Sequence, residues 1–323
     1  MPDVAAAPAA ESSAVQSTRD VLMVAPTAFA SNAQAAADNT FMAAAARDGA
    51  LPLGVRDAVL DEYAGLHSVL TNAGVRVRLF AHTEAHGTPD AVFPNNWFSL
   101  SGGVLVLYPM KCSNRAAERR DDIVAQLRAL PSVARVLDLS EAERGAPPAA
   151  LEGTGVLVLD HLRRVAYMAR SERSDDSLAH RAAAELGFER VHAFDATDDA
   201  GRPVYHTNVM LAIGTGFAVV CADAVADEVQ RAALLEALAL GGREVVRISR
   251  AQMGAMCGNV LELRNAHGLP VLALSSRAHS AFDAAQRAAL LRHTAELLHA
   301  PVDTLEAVGG GSVRCCLAEL FGV

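Results

Sequence analysis

The sequence predicts an α/β protein folded as a five-bladed, pseudo-fivefold α/β propeller of ββαβ repeats. Three observations lead to this prediction. The order strand, strand, helix, strand recurs along the chain at a period of roughly 50 to 57 residues. Polar or reactive side chains precede the first strand of each repeat. The opening and closing strands lack partners unless they pair with each other, which would fasten a ring of repeats that bury their faces against neighbours.

The opening segment supplies a strand, a helix and a further strand. A short apolar run predicts a strand over 21–24, and helical spacing of apolar residues predicts a helix over 56–72. Gly74 ends this helix, since glycine is the residue that most often terminates one. The alternating pattern over 75–80 then indicates a strand.

Four complete repeats are predicted next, followed by a lone strand over 313–321. In the first of them, two strands flank Ser101-Gly102-Gly103, which is typical of a hairpin turn. The predicted elements are 97–100, 104–108, 116–130 and 133–139; 156–159, 165–169, 177–186 and 189–194; 209–213, 217–221, 226–240 and 244–248; and 260–263, 271–274, 281–299 and 302–307.

Composition fits one large globular domain. With 51% hydrophobic and 20% charged residues, the chain of 323 residues buries a large core and is too apolar to be disordered. Residues 1–18 are rich in Ala, Ser and Pro without the basic start and apolar run of a signal peptide, so we expect a disordered tail. Residues 19–323 are expected to form a single catalytic domain.

Charge and hydropathy argue against two classes of binding partner, nucleic acids and membranes. A net charge of −9 argues against a nucleic-acid surface, which needs clustered Lys and Arg. No run of about eighteen apolar residues exists to span a membrane. The expected partner is a small amino-acid substrate, the expected location is cytoplasmic, and a homo-oligomer is possible.

The cysteines point to reduced thiols. There are five, an odd number, and the adjacent pair Cys315 and Cys316 is poorly placed to bridge itself. Low cysteine content in a large chain indicates an intracellular protein rather than a disulfide framework. No CxxC spacing appears, so neither a metal nor another cofactor is expected.

The candidate catalytic residues stand where the first strands begin. In a pseudo-fivefold ring, equivalent positions converge near the axis, so side chains far apart in sequence meet in one pocket. Cys315 is the expected nucleophile, and a thiolate needs a neighbouring base or cation such as His206. His206 can then protonate a leaving amine, and Glu152 can orient the imidazole. Asn95, Asn96, Asn208 and Asn259 occupy corresponding positions and are expected to bind substrate.

Arg173, which follows the strand over 165–169, is a further candidate. Its guanidinium could clamp a substrate α-carboxylate through two parallel hydrogen bonds. The alternative is a solvated loop arginine, and the sequence leaves both open.

This constellation resembles the pentein, or guanidino-group-modifying, superfamily, which includes arginine deiminases, dimethylarginine hydrolases and amidinotransferases. The resemblance implies the propeller fold and attack by Cys315 on a ureido or guanidino carbon. Each motif alone is weak, but their order and spacing are specific. The motifs are Phe93-Pro94-Asn95-Asn96-Trp97, Glu152-Gly153-Thr154-Gly155, His206-Thr207-Asn208 and Gly309-Gly310-Gly311-Ser312-Val313-Arg314-Cys315.

Asn96 and Asn208 stand where members of this superfamily typically carry Asp, whose carboxylates grip a cationic guanidinium. An amide suits a neutral ureido group, because it offers both a donor and an acceptor. The sequence therefore resembles the citrulline ureidase branch, a hydrolase that yields ornithine, ammonia and carbon dioxide within arginine metabolism. The alternatives are a guanidino hydrolase or deiminase acting on arginine or methylarginine, and a non-catalytic pentein that only binds a partner.

Overall fold

The structure, a computed structural model, describes residues 15–43 and 53–323. Among these residues, the strands form five sheets of three strands each, as the repeat predicts. The middle strand of each sheet runs antiparallel to one neighbour and parallel to the other. The sheets are sheet 1, with β1 (Asp20–Val24), β2 (Arg76–Phe80) and β15 (Ala318–Glu319); sheet 2, with β3 (Phe98–Ser101), β4 (Val104–Leu107) and β5 (Arg135–Asp138); sheet 3, with β6 (Val158–Asp160), β7 (Val165–Ala169) and β8 (Arg190–Phe194); sheet 4, with β9 (Leu211–Ile213), β10 (Phe217–Val220) and β11 (Glu244–Arg247); and sheet 5, with β12 (Leu261–Arg264), β13 (Pro270–Ser275) and β14 (Leu297–Ala300).

Sheet 1 joins the two ends of the described chain. Strand β1 pairs with β15 in an antiparallel register that sets Val21 opposite Glu319, and it pairs with β2 in a parallel register. The prediction that one repeat is divided between the ends of the chain is therefore confirmed. This pairing brings the turn that carries Cys315 next to the first strand of the fold.

Helices connect the strands, and several begin at side chains that accept hydrogen bonds from free backbone N–H groups. Asp175 accepts from Leu178 N, and Asp227 accepts from Gln230 N. The helices are α1 (Val55–Asn72), α2 (Ser113–Ala116), α3 (Asp121–Arg128), α4 (Gly153–Val156), α5 (Asp176–Glu185), α6 (Glu228–Ala239), α7 (Arg250–Gly254), α8 (Ser276–Ala281), α9 (Ala284–Leu291) and α10 (Asp303–Gly309).

The predicted elements of the last repeat are partly wrong. The segment predicted as one helix over 281–299 contains two elements. The helix α9 begins after Asp283, which forms a capping box, and ends at Leu291. Leu297 then lies in a strand, since it pairs with Leu272 of β13. Residues 302–307, predicted as a strand, lie mostly in α10. An Ala- and Leu-rich run favours helix by propensity, and pairing with a buried strand overrides that preference in β14.

The closing segment also differs from the prediction. Instead of a strand over 313–321, a 3₁₀ turn over Val313–Cys316 precedes the two-residue strand β15. Ser312 O accepts hydrogen bonds from the backbone N of Cys315 and of Cys316. The two cysteines therefore lie on a turn and not on a strand.

The predicted tail extends too far into the chain. Gln16 and Ser17 are buried, and Gln16 Nε2 donates to Leu159 O at 2.9 Å while Ser17 Oγ donates to Glu262 Oε1 at 2.7 Å. These contacts tie the segment to sheets 3 and 5, because polar groups that enter the interior need partners. The rest of the predicted tail, residues 1–14, lies outside the described residues.

Four buried hydrophobic clusters link neighbouring sheets. They join sheets 1 and 2, sheets 2 and 3, sheets 3, 4 and 5, and sheets 5 and 1. First strands also contact one another directly, as β6 does with β9 and β9 with β12. The starts of these strands therefore lie close together. In the described part of the chain, no helix is long and apolar enough to cross a membrane.

Candidate active site

Short helical turns immediately before first strands carry most of the predicted residues. Asn96 ends the 3₁₀ turn Pro94–Asn96, and Asn208 lies within the 3₁₀ turn Thr207–Val209. Glu152 and His206 each precede the first residue of such a turn. Because these turns contact one another, residues roughly 50 apart in sequence become neighbours.

The turns surround a small cavity with a volume of about 10 Å³, which is room for about one water molecule. Cys315, His206 and Asn96 line it, each at most 3% exposed. Residues of the segment before α1 also line it, and Asn39 Nδ2 donates to Gly309 O at 3.1 Å. The full lining is Ala35, Asn39, Asp90, Phe93, Asn96, Arg115, Arg173, Tyr205, His206, Gly309, Gly311 and Cys315.

His206 and Glu152 form a buried hydrogen-bonded pair. His206 Nε2 lies 2.7 Å from Glu152 Oε2, and Glu152 itself is fully buried behind the imidazole. Although burial opposes ionisation, Arg173 and His206 hold the pKa of Glu152 well below its usual range. An ionised carboxylate only accepts, so Nε2 carries the proton and Nδ1 offers a lone pair.

Two further contacts define the state of the imidazole. Burial lowers the pKa of His206 below its usual value, against the opposing effect of the Glu152 carboxylate. The ring of Tyr205 stacks on the imidazole with centroids 4.3 Å apart. Tyr205 is in turn held by its hydroxyl, which donates to Gly310 O at 2.9 Å. His206 is therefore a neutral base in a fixed orientation.

Arg173 was predicted to bind a substrate carboxylate, and in the structure its guanidinium is bonded to groups of the protein. Its Nη1 donates to both carboxylate oxygens of Glu152 at 3.0 and 3.1 Å, and its Nε donates to Asp38 Oδ2 at 2.8 Å. Its Nη2 donates to Asp38 Oδ1 and to Ala35 O. A guanidinium has five N–H groups, and each has a protein acceptor here. Arg173 thus pairs with Glu152 and the segment before α1, and it also lines the cavity, so its role as a ligand for a substrate carboxylate stays a prediction.

Two amides face the sulfur of Cys315. Asn259 Nδ2 lies 3.2 Å from Sγ, and Asn208 Nδ2 lies 3.6 Å from it. Asn259 Nδ2 also donates to Asn208 O at 3.0 Å, which links the two turns. Both residues were predicted to bind substrate, and the structure sets both at the sulfur.

Asn95 and Asn96 point in different directions. Asn95 Nδ2 donates to Thr154 Oγ1 at 3.2 Å, away from the lining of the cavity, so its predicted contact with substrate is not supported by this geometry. Asn96 lines the cavity, and its Oδ1 accepts from Arg115 Nη1 at 2.8 Å. Of the adjacent pair, only Asn96 faces the space beside Cys315.

Asp90, Arg115 and Glu118 were missed by the sequence analysis. Arg115 and Glu118 form a buried pair with two hydrogen bonds, of 2.9 and 3.0 Å. Asp90 lines the cavity, and its Oδ1 is buried without a partner among the described residues. A signal for Arg115 existed, since it follows β4 as Arg173 follows β7 in the next repeat. Asp90 had no such signal.

No metal centre accompanies these groups in the part of the chain that the structure describes. No set of three or more His, Cys, Asp or Glu side chains is grouped there to hold a metal ion. The chemistry available to the site is that of a thiol, an imidazole paired with a carboxylate, and several amide donors. Such a set can perform nucleophilic attack on an electrophilic carbon followed by proton transfer.

In the described part of the chain, five three-stranded sheets together with a cysteine, an imidazole–carboxylate pair and amide donors are typical of the pentein, or guanidino-group-modifying, superfamily. A family model described as N,N dimethylarginine dimethylhydrolase, eukaryotic, matches residues 25–322, and the chain belongs to this family. The prediction of a hydrolase that acts on carbon–nitrogen bonds is confirmed by this membership. A search of curated proteins found no match.

Solved structures share the fold. The N-terminal domain of ArgZ, covalently bound to a reaction intermediate, is 15% identical with a TM-score of 0.71, over 93% of this chain and 97% of that one. Unliganded AgrE is 18% identical with a TM-score of 0.71, over 93% of this chain and 39% of that one. A dimethylarginine dimethylaminohydrolase adduct with S-methyl-L-thiocitrulline is 12% identical with a TM-score of 0.61, over 93% and 99%. The chain thus spans about two fifths of the AgrE chain.

Proposed function

We propose that the chain is a cysteine-dependent hydrolase that attacks the guanidino carbon of a free amino acid, arginine or a methylated arginine. The observation that carries this proposal is that Cys315 and His206 line one buried cavity, with His206 bonded to Glu152. The similar proteins support the substrate class, since ArgZ is called an arginine dihydrolase from cyanobacteria and AgrE is described with L-arginine.

In the proposed first step, the sulfur of Cys315 bonds to the guanidino carbon. His206 Nδ1 takes the thiol proton and passes it to the departing nitrogen, so ammonia or a methylamine leaves as its C–N bond breaks. The Glu152 carboxylate stabilises the imidazolium that forms in between. An amidino group is then held on sulfur.

In the proposed second step, water adds to the same carbon and gives its proton to His206. The C–S bond breaks, and the sulfur recovers that proton. The released product is a ureido amino acid, and the net reaction consumes one water for each amine released. The nearly complete burial of Cys315 limits the access of bulk water to the intermediate.

Asp90 supports a substrate with a cationic group. Its buried Oδ1 has no partner among the described residues and faces the cavity, and a carboxylate in that state suits an ammonium or guanidinium. Burial raises the pKa of Asp90, with Arg115 opposing the shift. A cationic ligand would favour the ionised form of Asp90 in the same way.

We also propose that the five sheets are the blades of a closed propeller, with the cavity at one end of its axis. Support comes from the hydrophobic clusters that join sheets 1 and 2, 2 and 3, 3 to 5, and 5 and 1. In a closed ring, the starts of the first strands face one another, which keeps the catalytic groups at fixed separations.

A second candidate is hydrolysis of a ureido amino acid such as citrulline to ornithine, ammonia and carbon dioxide. The observation that favours it is the amide character of Asn96, Asn208 and Asn259 around the cavity and the sulfur. In this reaction Cys315 would hold a carbamoyl group after ornithine leaves, and water would release it.

The test is a product assay on arginine, mono- and dimethylarginine, and citrulline. We expect citrulline, with ammonia or a methylamine, from at least one guanidino substrate, and no product from Cys315→Ser. If the wild-type protein releases product only from citrulline, the second candidate replaces the first. If it releases none from any of them, both are wrong.

A further inference from the structure

The turn that carries Cys315 begins after Ser312. Ser312 is fully buried, and its backbone oxygen accepts hydrogen bonds from Cys315 N at 3.0 Å and from Cys316 N at 3.3 Å. A serine directly before a helical turn usually accepts a hydrogen bond from a backbone N–H of that turn through its side chain. The Ser312 hydroxyl makes no such bond, and it donates instead to Glu306 Oε1. A side-chain contact therefore links the turn to Glu306.

Glu306 holds this turn from outside the catalytic cavity. It lies in α10 and is 2% exposed, and it does not belong to the lining of the cavity. Its Oε2 forms an ion pair with Arg277 of α8, whose Nε lies 2.6 Å away. A buried carboxylate needs such partners, because its charge is costly to remove from water. Since α8 contacts β13 and β14, Glu306 ties the turn to sheet 5.

The segment just before Ser312 cannot be fixed by the packing of its own side chains. Residues 309–311 are all glycine, which has more backbone freedom than any other residue. A β-carbon added to Gly309 or Gly311 would lie 2.7 or 2.8 Å from the ring of Phe93, so larger residues do not fit there. Hydrogen bonds therefore have to set the position of this segment.

Two of these hydrogen bonds come from the lining of the cavity. Asn39 Nδ2 donates to Gly309 O at 3.1 Å, and the Tyr205 hydroxyl donates to Gly310 O at 2.9 Å. The cavity has room for about one water molecule, so an amino-acid substrate has to displace part of this lining. The bond from Ser312 to Glu306 lies outside the lining and does not depend on that displacement.

We propose that Glu306 is a positioning residue for Cys315. Its carboxylate holds the Ser312 hydroxyl, and the Ser312 backbone oxygen holds Cys315 N. The sulfur thereby stays beside the amides of Asn208 and Asn259 when a substrate enters. This inference rests on the proposed function, in which Cys315 is the nucleophile, and it adds a residue that acts on the nucleophile without touching the substrate.

The test removes only the hydroxyl that connects the turn to Glu306, by Ser312→Ala. The matched control is Ser17→Ala, because Ser17 is similarly buried and donates to the buried carboxylate of Glu262 at 2.7 Å. Neither Ser17 nor Glu262 lines the cavity. Urea unfolding should show a similar loss of stability in both variants, since each deprives one buried carboxylate of one hydrogen bond.

Hydrogen exchange tests the position of the turn without any need for turnover. The amide hydrogens of Cys315 and Cys316 should exchange about tenfold or more faster in Ser312→Ala, and at the wild-type rate in Ser17→Ala. Mass spectrometry of the peptide that contains both cysteines measures this. Exchange that rises equally in the two variants, or in neither, would overturn the proposal. A wild-type protein without activity would refute the proposed function, and the exchange rates would still decide whether Ser312 holds the turn.

Kinetics separate positioning from a purely structural role. On a substrate that the wild-type protein hydrolyses, Ser312→Ala should lower kcat by about tenfold or more and leave KM within about twofold, since the sulfur is misplaced while the substrate contacts remain. Ser17→Ala should leave both constants unchanged. Faster exchange in Ser312→Ala with an unchanged kcat would mean that the bond is only structural, and the proposal would be wrong.

Two variants of Glu306 test the carboxylate itself. Glu306→Gln retains a side-chain oxygen that can accept from Ser312, whereas Glu306→Met fills a similar volume without an oxygen. We expect Glu306→Met to match Ser312→Ala in exchange and in kcat, and Glu306→Gln to stay closer to the wild type. Equal losses in the two Glu306 variants would contradict the proposal, because the charge paired with Arg277 would then matter and the bond to Ser312 would not.

Discussion

The polar side chains next to the cavity form two groups, called the charged half and the amide half, which differ in how their members are held. In the charged half, the buried side chains of Glu152 and Arg173 pair with each other, and Asp38 extends the chain of ion pairs. In the amide half, Asn208 and Asn259 direct neutral N–H groups at the sulfur of Cys315. His206 connects the charged half to the cavity, because its Nε2 bonds to Glu152 and its side chain lines the cavity.

The two halves therefore have different roles: the charged half orients His206, and the amide half surrounds the sulfur that reacts. Buried charges are tolerated when each has a partner, and a paired network holds its members in one geometry. The charged half therefore fixes His206 and the segment that covers the cavity. The amide half leaves the sulfur free of a fixed ion pair, so that Cys315 can bond to carbon without first breaking one.

The largest effect is expected for Cys315→Ser, which removes the nucleophile from the amide half. Turnover should fall by several orders of magnitude, as nucleophile removal does in other enzymes. Cys316→Ser is the matched control, because Cys316 lies on the same turn but does not line the cavity. Burial raises the pKa of Cys316 well above its usual value.

One equivalent of iodoacetamide should inactivate the protein, and substrate should slow the reaction. Rates of product formation and mass spectrometry of the alkylated peptide decide the outcome. An active Cys315→Ser with an inactive Cys316→Ser would reverse the assignment of the nucleophile.

The next largest effect is expected for Glu152→Gln, which breaks the charged half. Loss of one partner of a buried ion pair costs about 3–5 kcal/mol, and Arg173 retains only Asp38. Urea unfolding measures this loss. Glu172→Gln is the control, since Glu172 is largely exposed and should change the free energy of unfolding by less than about 1 kcal/mol.

The same variant predicts a pH shift with a defined sign. The Glu152 carboxylate raises the pKa of His206, against the larger lowering by burial. Its removal should lower that pKa further, so the acid limb of kcat/KM should move to lower pH. A shift to higher pH would mean that Glu152 does not act on the base.

A smaller effect is expected when a charge is added to the amide half. Asn259→Asp would set a carboxylate about 3.2 Å from Sγ, and two like charges at that distance repel by about 1.3 kcal/mol even in bulk water. The rate of alkylation of Cys315 should fall by about tenfold or more. Asn259→Ala, which removes the donor without adding charge, should slow alkylation less. Equal effects of the two variants would contradict the contrast between the halves.

The smallest effect is expected at the rim of the charged half. Lys111 Nζ donates to Asp38 Oδ2 at 2.8 Å and pairs with Glu172, and its side chain is 29% exposed. Lys111→Met should lower the free energy of unfolding by less than about 1 kcal/mol, with a dependence on salt. If Lys111→Met lowered the free energy of unfolding as much as Glu152→Gln does, the exposed and buried ion pairs of the charged half would contribute equally to stability, contrary to this prediction.

Most of the architecture was readable from the sequence because it repeats. Apolar periodicity and glycine turns mark the strands of sheets 2 to 4, and the unpaired ends of the chain predict sheet 1. The positions of Glu152, His206, Asn208 and Cys315 follow from the same repeat, since residues at equivalent places in a ring converge. The last repeat was less readable: its Ala- and Leu-rich run favours helix locally, and pairing with β13 makes part of it a strand.

The sequence by itself determined the fold class, the superfamily and that Cys315, His206 and Asn96 meet at one cavity. Only the tertiary structure decided their partners: that Arg173 pairs with Glu152 and Asp38, that Asn259 faces Sγ, and that Arg115 donates to Asn96. The physical reason is that sequence patterns are local, whereas these contacts join residues far apart in the chain. Periodicity records which face of an element is buried, whereas a hydrogen bond between residues far apart in sequence depends on distances of a few ångströms that the packing of whole sheets sets.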